Sequence, residues 1–140
     1  MDENIARQTG NLQEYIRENG WEKFRKIENS LLNTLNIDRH IIDCGGGIIE
    51  FPGSIDEIKK KGYVFWLKVS PGIIKKRLSG DRKRLSLSGI NYMDEISIQL
   101  KKRSPLYQKC ADFIIDADFL SPGECADKII KILHKNNILQ

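Results

Sequence analysis

Three consecutive glycines, Gly45, Gly46 and Gly47, follow His40-Ile41-Ile42, which reads as the end of a short buried strand. Glycine loses the most backbone freedom on folding. A run of it is kept where φ must be positive, or where a ligand or another backbone comes close. In open α/β sheets, ligands sit in the crevice beyond the carboxyl ends of the strands, so the run is a candidate floor for a small-molecule site. An ordinary strand-to-helix turn suits these glycines equally well. Arg25 and Glu28 lie three apart on a helix face and can meet, although an exposed pair of this kind contributes only a few tenths of a kcal/mol. Residues 75–109 hold ten Lys/Arg and three Asp/Glu, a net of +7 in a chain of net +4, which leaves −3 for the remainder. That asymmetry points to an anionic partner for one region.

Other chemistries fit less well. Cys44, Cys110 and Cys125 are odd in number and no two are spaced as a metal knuckle, so neither a disulfide framework nor a zinc site is indicated. His40 and His134 read as surface or packing residues. At 140 residues, 40% hydrophobic and 30% charged, the chain is expected to form one globular domain over 1–140. No run approaches the roughly 18 apolar residues of a membrane span. The acidic start Met1-Asp2-Glu3 is unlike a signal peptide, so the cytoplasm is the expected compartment; a monomer is expected. A nucleic-acid role for 75–109 is disfavoured, because only Tyr92 and Tyr107 are interleaved with its charges.

The elements that must position these residues alternate. Asn11 can cap a short helix ended by Gly20, and a longer one runs from about Trp21 to Leu35 on Phe24, Ile27, Leu31, Leu32 and Leu35. Ser54-Ile55-Asp56-Glu57 reads as a capping box opening a helix that stops at Gly62. Tyr63–Val69 reads as a strand buried on both faces. Ser70-Pro71 opens the next helix, and residues 80–91 read as a mobile loop. Asn91 can cap a helix carrying Ile96, Leu100, Arg103 and Tyr107, with Pro105 kinking or weakening it. Phe113–Asp116 reads as a third strand, and Ser121-Pro122-Gly123-Glu124 as a second capping box before a final helix. The expectation is a three-layer α/β/α fold with a parallel sheet. Three strands are few for a chain of this length.

Several blocks, in order, resemble the shikimate kinases of the P-loop nucleoside-monophosphate-kinase-like group. Asp2 with Thr9-Gly10 looks like the second aspartate of an Asp-x-Asp motif. Gly20–Glu28 resembles Gly-Glu-x-x-Phe-Arg-x-x-Glu, and Cys44–Gly47 resembles Thr/Ser-Gly-Gly-Gly. Arg103–Tyr107 with Ala111-Asp112 resembles Arg-x-Pro-Leu-Tyr-x-x-x-Ala-Asp. The lid signature Arg-Pro-Leu-Leu appears as Arg84-Leu85-Ser86-Leu87, without its proline. No Gly-x-x-x-x-Gly-Lys-Ser/Thr occurs in residues 1–140. The family's first strand, that loop and its helix are therefore expected to be missing, as in a truncated reading begun at an internal methionine.

The resemblance implies ATP-dependent phosphorylation of the shikimate 3-hydroxyl, on the route to chorismate and the aromatic amino acids. Arg25 and Arg103 would hold the substrate carboxylate, which needs planar charge-assisted donors. Gly46 would offer its N–H, with Gly45 and Gly47 allowing the approach. Glu28 would orient Arg25. Asp2 would bind the 3-hydroxyl and serve as base. Arg84, on the 80–91 lid, would neutralise charge on the transferring phosphate, and Arg77 would pack near the nucleotide. ATP and Mg²⁺ are implied, held mainly by the absent loop, and no metal ligand is assigned. A non-catalytic shikimate-binding relative or remnant is the alternative, with a basic nucleic-acid module as a third reading. The 140-residue chain alone is expected to show little or no kinase activity. Conversion of shikimate and ATP to the 3-phosphate at ordinary rates by the purified chain would overturn this expectation.

Overall fold

A computed structural model describes residues 1–36, 38–79 and 92–138. Their elements run α1 (Asp2–Thr9), α2 (Leu12–Thr34), a 3-10 helix (Ile48–Glu50), α3 (Ser54–Lys61), β1 (Phe65–Lys68), α4 (Pro71–Leu78), α5 (Tyr92–Cys110), β2 (Phe113–Asp116) and α6 (Pro122–Lys135). The lid stretch 80–91 and the capping residue Asn91 lie outside the described residues.

Side-chain caps fix several helix starts. Asn11 Oδ1 accepts from the amides of Gln13 and Glu14 at 3.0 and 3.3 Å. Ser121 and Glu124 form the reciprocal capping box of α6. Pro71 occupies the first turn of α4, where its missing N–H has no partner to lose. The two helices expected around Gly20 form one element with a sharp bend. Gly20 has φ 80 and ψ 164, a backbone state open essentially to glycine alone. Beyond the bend, Phe24, Glu28 and Leu32 recur every fourth residue and are buried. α1 was not expected; its one deeply buried apolar residue is Ile5. α5 runs through Pro105 to Cys110 as one helix.

β1 and β2 pair in parallel, Phe65 with Phe113 through Lys68 with Asp116. The connection between them passes through α4 and α5, as in an α/β fold. Asp112 fastens the start of the ladder, its carboxylate accepting from Val64 N at 2.8 Å and pairing with Lys59 at 3.2 Å.

Three expectations are corrected. His40-Ile41-Ile42 is not a strand: Ile41 is 97% exposed, and the only ladder among the described residues is β1–β2. A strand needs a neighbour for its N–H and C=O groups, and no described segment supplies one there. The 63–69 strand is real but shorter, and it is not buried on both faces, since Tyr63 and Leu67 are exposed. Ser54 does not cap α3. The N-cap is Gly53, and the fully buried Ser54 hydroxyl donates to Asn29 Oδ1 at 3.0 Å. It ties α3 to α2 instead.

The core gathers Leu32, Ile48, Ile49 and Cys110, with Leu106 and Tyr107 packed against it. It lies directly beneath the glycine turn. Among the described residues, no helix is long and apolar enough to cross a membrane.

Gly20 has open space around its α-carbon, so a methyl there meets no clash and only the backbone state resists it. Gly20→Ala should therefore destabilise the protein by about 1–3 kcal/mol, read as a lower urea midpoint. An unchanged midpoint would show that the bend is not fixed by the glycine.

Candidate acid-binding site

None of the three glycines takes a positive φ. Close approach, the other reason for such a run, is what the structure shows. A Cβ on Gly47 would lie 1.9 Å from Arg25 Nη2 and 2.2 Å from its Cζ, so the guanidinium rests directly on this α-carbon. A Cβ on Gly46 would lie 2.8 Å from Tyr107 Oη. That hydroxyl donates to the Gly46 carbonyl at 2.6 Å and so orients the turn's peptides.

Arg25 projects from α2 with its side chain 14% exposed. Nη1 donates to Glu28 Oε2, and the guanidinium carbon stands 5.1 Å from the Trp21 ring centre and 5.5 Å from that of Phe24. Two rings, one carboxylate and one bare α-carbon leave this side chain little freedom. Glu28 is itself buried, one turn along the helix.

Arg103 projects from α5 toward the same turn. Its Nε and Nη2 donate to Glu50 Oε2 at 3.1 and 2.7 Å. Lys102 Nζ reaches Glu50 Oε1 at 2.6 Å. Burial pushes the Glu50 carboxyl up, but the hydrogen bonds and charges of Lys102 and Arg103 outweigh it and hold the group below its ordinary value. A lowered folded value means that the contact's stabilisation is present above the unfolded carboxyl pKa and is lost as pH falls through the folded one. Burial raises Tyr107 against the opposing charges of Arg103 and Arg25, so its hydroxyl keeps its proton and remains a donor at neutral pH. Burial also pushes the Cys44 thiol up to about 11, which makes it a poor nucleophile.

Between these groups opens a cavity of about 300 Å³, lined by Trp21, Glu22, Arg25, Glu50, Gln99 and Lys102. Buried Gln99 Oε1 has no hydrogen-bond partner among the described residues. Arg25 and Lys102 line the cavity, and Glu50 holds Arg103 at its wall, a set of donors that can bind a small acid with polar substituents.

The candidate residues divide by place. The structure brings Arg25, Glu28, Gly45, Gly46, Gly47 and Arg103 together. Arg77 is not among them: its Nη2 donates to the carbonyls of Ala117 and Asp118 at 2.8 and 3.1 Å, holding the chain after β2. Arg84 lies outside the described residues, as does the side chain of Asp2. The backbone of Asp2 opens α1 beside Met1, whose amine donates to Asp43 O at the entry to the glycine turn, at 3.0 Å. Glu50, Lys102, Trp21 and Gln99 were not singled out from the sequence. Tyr107 was placed on the right helix without a role, although its spacing of four from Arg103 puts both on one face.

The family model described as shikimate kinase matches residues 1–134. A shikimate kinase from Thermodesulfovibrio yellowstonii is 37% identical over 133 residues, covering 94% of this chain and 76% of the relative. One from Caldicellulosiruptor saccharolyticus is 34% identical over 114 residues, covering 81% and 66%. The chain thus spans between about two thirds and three quarters of these relatives' lengths. Among solved structures, the shikimate kinase from Acinetobacter baumannii in complex with shikimate superposes with a TM-score of 0.89 at 26% identity, over 99% of this chain and 78% of that one. The enzyme from Bacteroides thetaiotaomicron gives a TM-score of 0.79 at 24% identity, over 97% and 81%, a likeness of fold alone. The parallel ladder and its surrounding helices are those of the P-loop kinase-like α/β fold, and the chain belongs to the shikimate kinase family of ATP-using phosphotransferases.

Proposed function

We propose that this chain binds shikimate in the cavity beside Gly46 and serves its ATP-dependent phosphorylation on the 3-hydroxyl. The observation that carries the reading is that Arg25, which rests on Gly47, and Glu50, which holds Arg103, line one cavity. The substrate carboxylate would lie between the two guanidinium groups, with the Gly46 N–H as a further donor and Glu28 keeping Arg25 oriented. Asp2 would take the 3-hydroxyl and act as base, and Arg84 would offset charge on the transferred group. Arg77 remains the candidate at the nucleotide, although its guanidinium is engaged by two carbonyls. The chain is expected to act as a cytoplasmic monomer on small molecules, with no nucleic-acid or membrane partner.

The described residues fit the acid and do not fit the nucleotide phosphates. Residues 1–140 contain no Gly-x-x-x-x-Gly-Lys-Ser/Thr run. Among the described residues, no three His, Cys, Asp or Glu side chains gather to hold a metal. Mg²⁺ would accompany ATP and neutralise its phosphates, and no residue here is assigned to it. The second reading is a relative that binds shikimate without transferring phosphate. Shikimate-dependent ATP turnover would remove this second reading, and binding without turnover would sustain it.

Titration of shikimate by calorimetry tests the site. Arg25→Lys keeps the charge and loses the planar fork, and Arg103→Ala removes the second clamp; each should weaken binding by about tenfold or more. Unchanged affinity in both would remove the carboxylate assignment. Gly47→Ala should lose binding at least as severely, because the methyl would displace the Arg25 guanidinium outright.

A further inference from the structure

We infer that Glu50 is a positioning residue, which holds Arg103 by one edge of its guanidinium and leaves the other edge for the carboxylate of a ligand. A guanidinium offers two donor edges, Nε with Nη2 and Nη1 with Nη2. Glu50 takes the first edge on a single oxygen, at 3.1 and 2.7 Å. Its other oxygen is occupied by Lys102 at 2.6 Å. Both bonds lie on the Nε–Nη2 side and neither uses Nη1, so Glu50 leaves the outer nitrogen of the second edge uncommitted. Arg103 and Glu50 are about equally shielded, with 15% and 16% of their side chains exposed, so solvent does little to loosen the contact.

The anchor point matters as much as the bond. Glu50 ends the 3-10 helix, and its own amide donates to Gly47 O at 3.0 Å. Arg103 is therefore referenced to the peptide on which the Arg25 guanidinium rests. Each arginine has its own carboxylate, Glu28 for Arg25 and Glu50 for Arg103, and the glycine turn is their common origin. A ligand carboxylate then meets two preset forks rather than two mobile side chains, which is the gain that preorganisation brings.

This inference deepens the shikimate reading and rests on it, so its test separates the two. The readouts are the ¹⁵N–¹H signal of Arg103 Nε and the affinity for shikimate, in the wild type and in Glu50→Gln, which keeps the size of the side chain. In the wild type, Arg103 Nε–H should be ordered and slow to exchange. In Glu50→Gln, exchange should quicken and shikimate affinity should fall by about tenfold. If Glu50→Gln fails to fold, Glu50→Asp carries the test, because it keeps the charge and withdraws the carboxylate by one methylene. Wild-type affinity and an equally ordered Nε–H in the variant would overturn the inference. Loss of binding in Arg25→Lys and Arg103→Ala would then leave the shikimate reading standing. If the wild type does not bind shikimate, that reading falls, and benzoate replaces it as the probe. A benzoate-induced shift at Arg103 that vanishes with Glu50→Gln would sustain the positioning role, and no shift in the wild type would overturn it.

Discussion

The guanidinium of Arg25 lies on the α-carbon of Gly47, and this one contact sets the terms for what surrounds it. The spacing leaves no room for a single carbon atom. For the contact to exist, α2 must present Arg25 at a fixed height over the turn. It does so through the Gly20 bend, the burial of Phe24, Glu28 and Leu32, and the Glu28 tether. The turn in turn must not move. Tyr107 holds Gly46 from above, and the Ile48–Ile49 pair buries the following residues in the core. Binding chemistry and packing share the same few atoms here, so neither can drift without the other.

α5 delivers two of the groups involved. Arg103 and Tyr107 stand one turn apart on the face turned to the glycines, on either side of Pro105. A proline inside a helix removes one amide donor and crowds the turn before it. The helix carries this cost without a break, while the Ser104 hydroxyl donates to Leu100 O at 2.6 Å just ahead of it. Arg77 shows the contrasting case of an arginine that ties α4 to the segment after β2 through backbone carbonyls.

Much of this was legible in the residues. Asn11, Pro71 and the Ser121–Glu124 box announced their helices because capping chemistry is local. The glycine run announced a close approach, though not that Arg25 would be what approached. Glu50 escaped notice because nothing local distinguishes it; its partner Arg103 lies 53 residues away on another helix. Ser54 misled for the same reason, since its sequence neighbours suggest a cap and its actual partner is Asn29 on α2. His40-Ile41-Ile42 has a strand's composition, but a strand is a relation between two segments, and composition cannot supply the second.

The β1–β2 ladder carries a consequence for how the protein must be handled. Among the described residues each strand is paired on one side only, over four residues, and Leu67 and Ile114 face outward from it. Open backbone edges of this kind accept a strand from any neighbouring molecule, and only Lys68 and Asp116, at one end, put charge in the way. Trp66 in β1 stands 5.3 Å, ring centre to ring centre, from Tyr107, so a disturbance at that edge passes through one ring to the residue that holds Gly46.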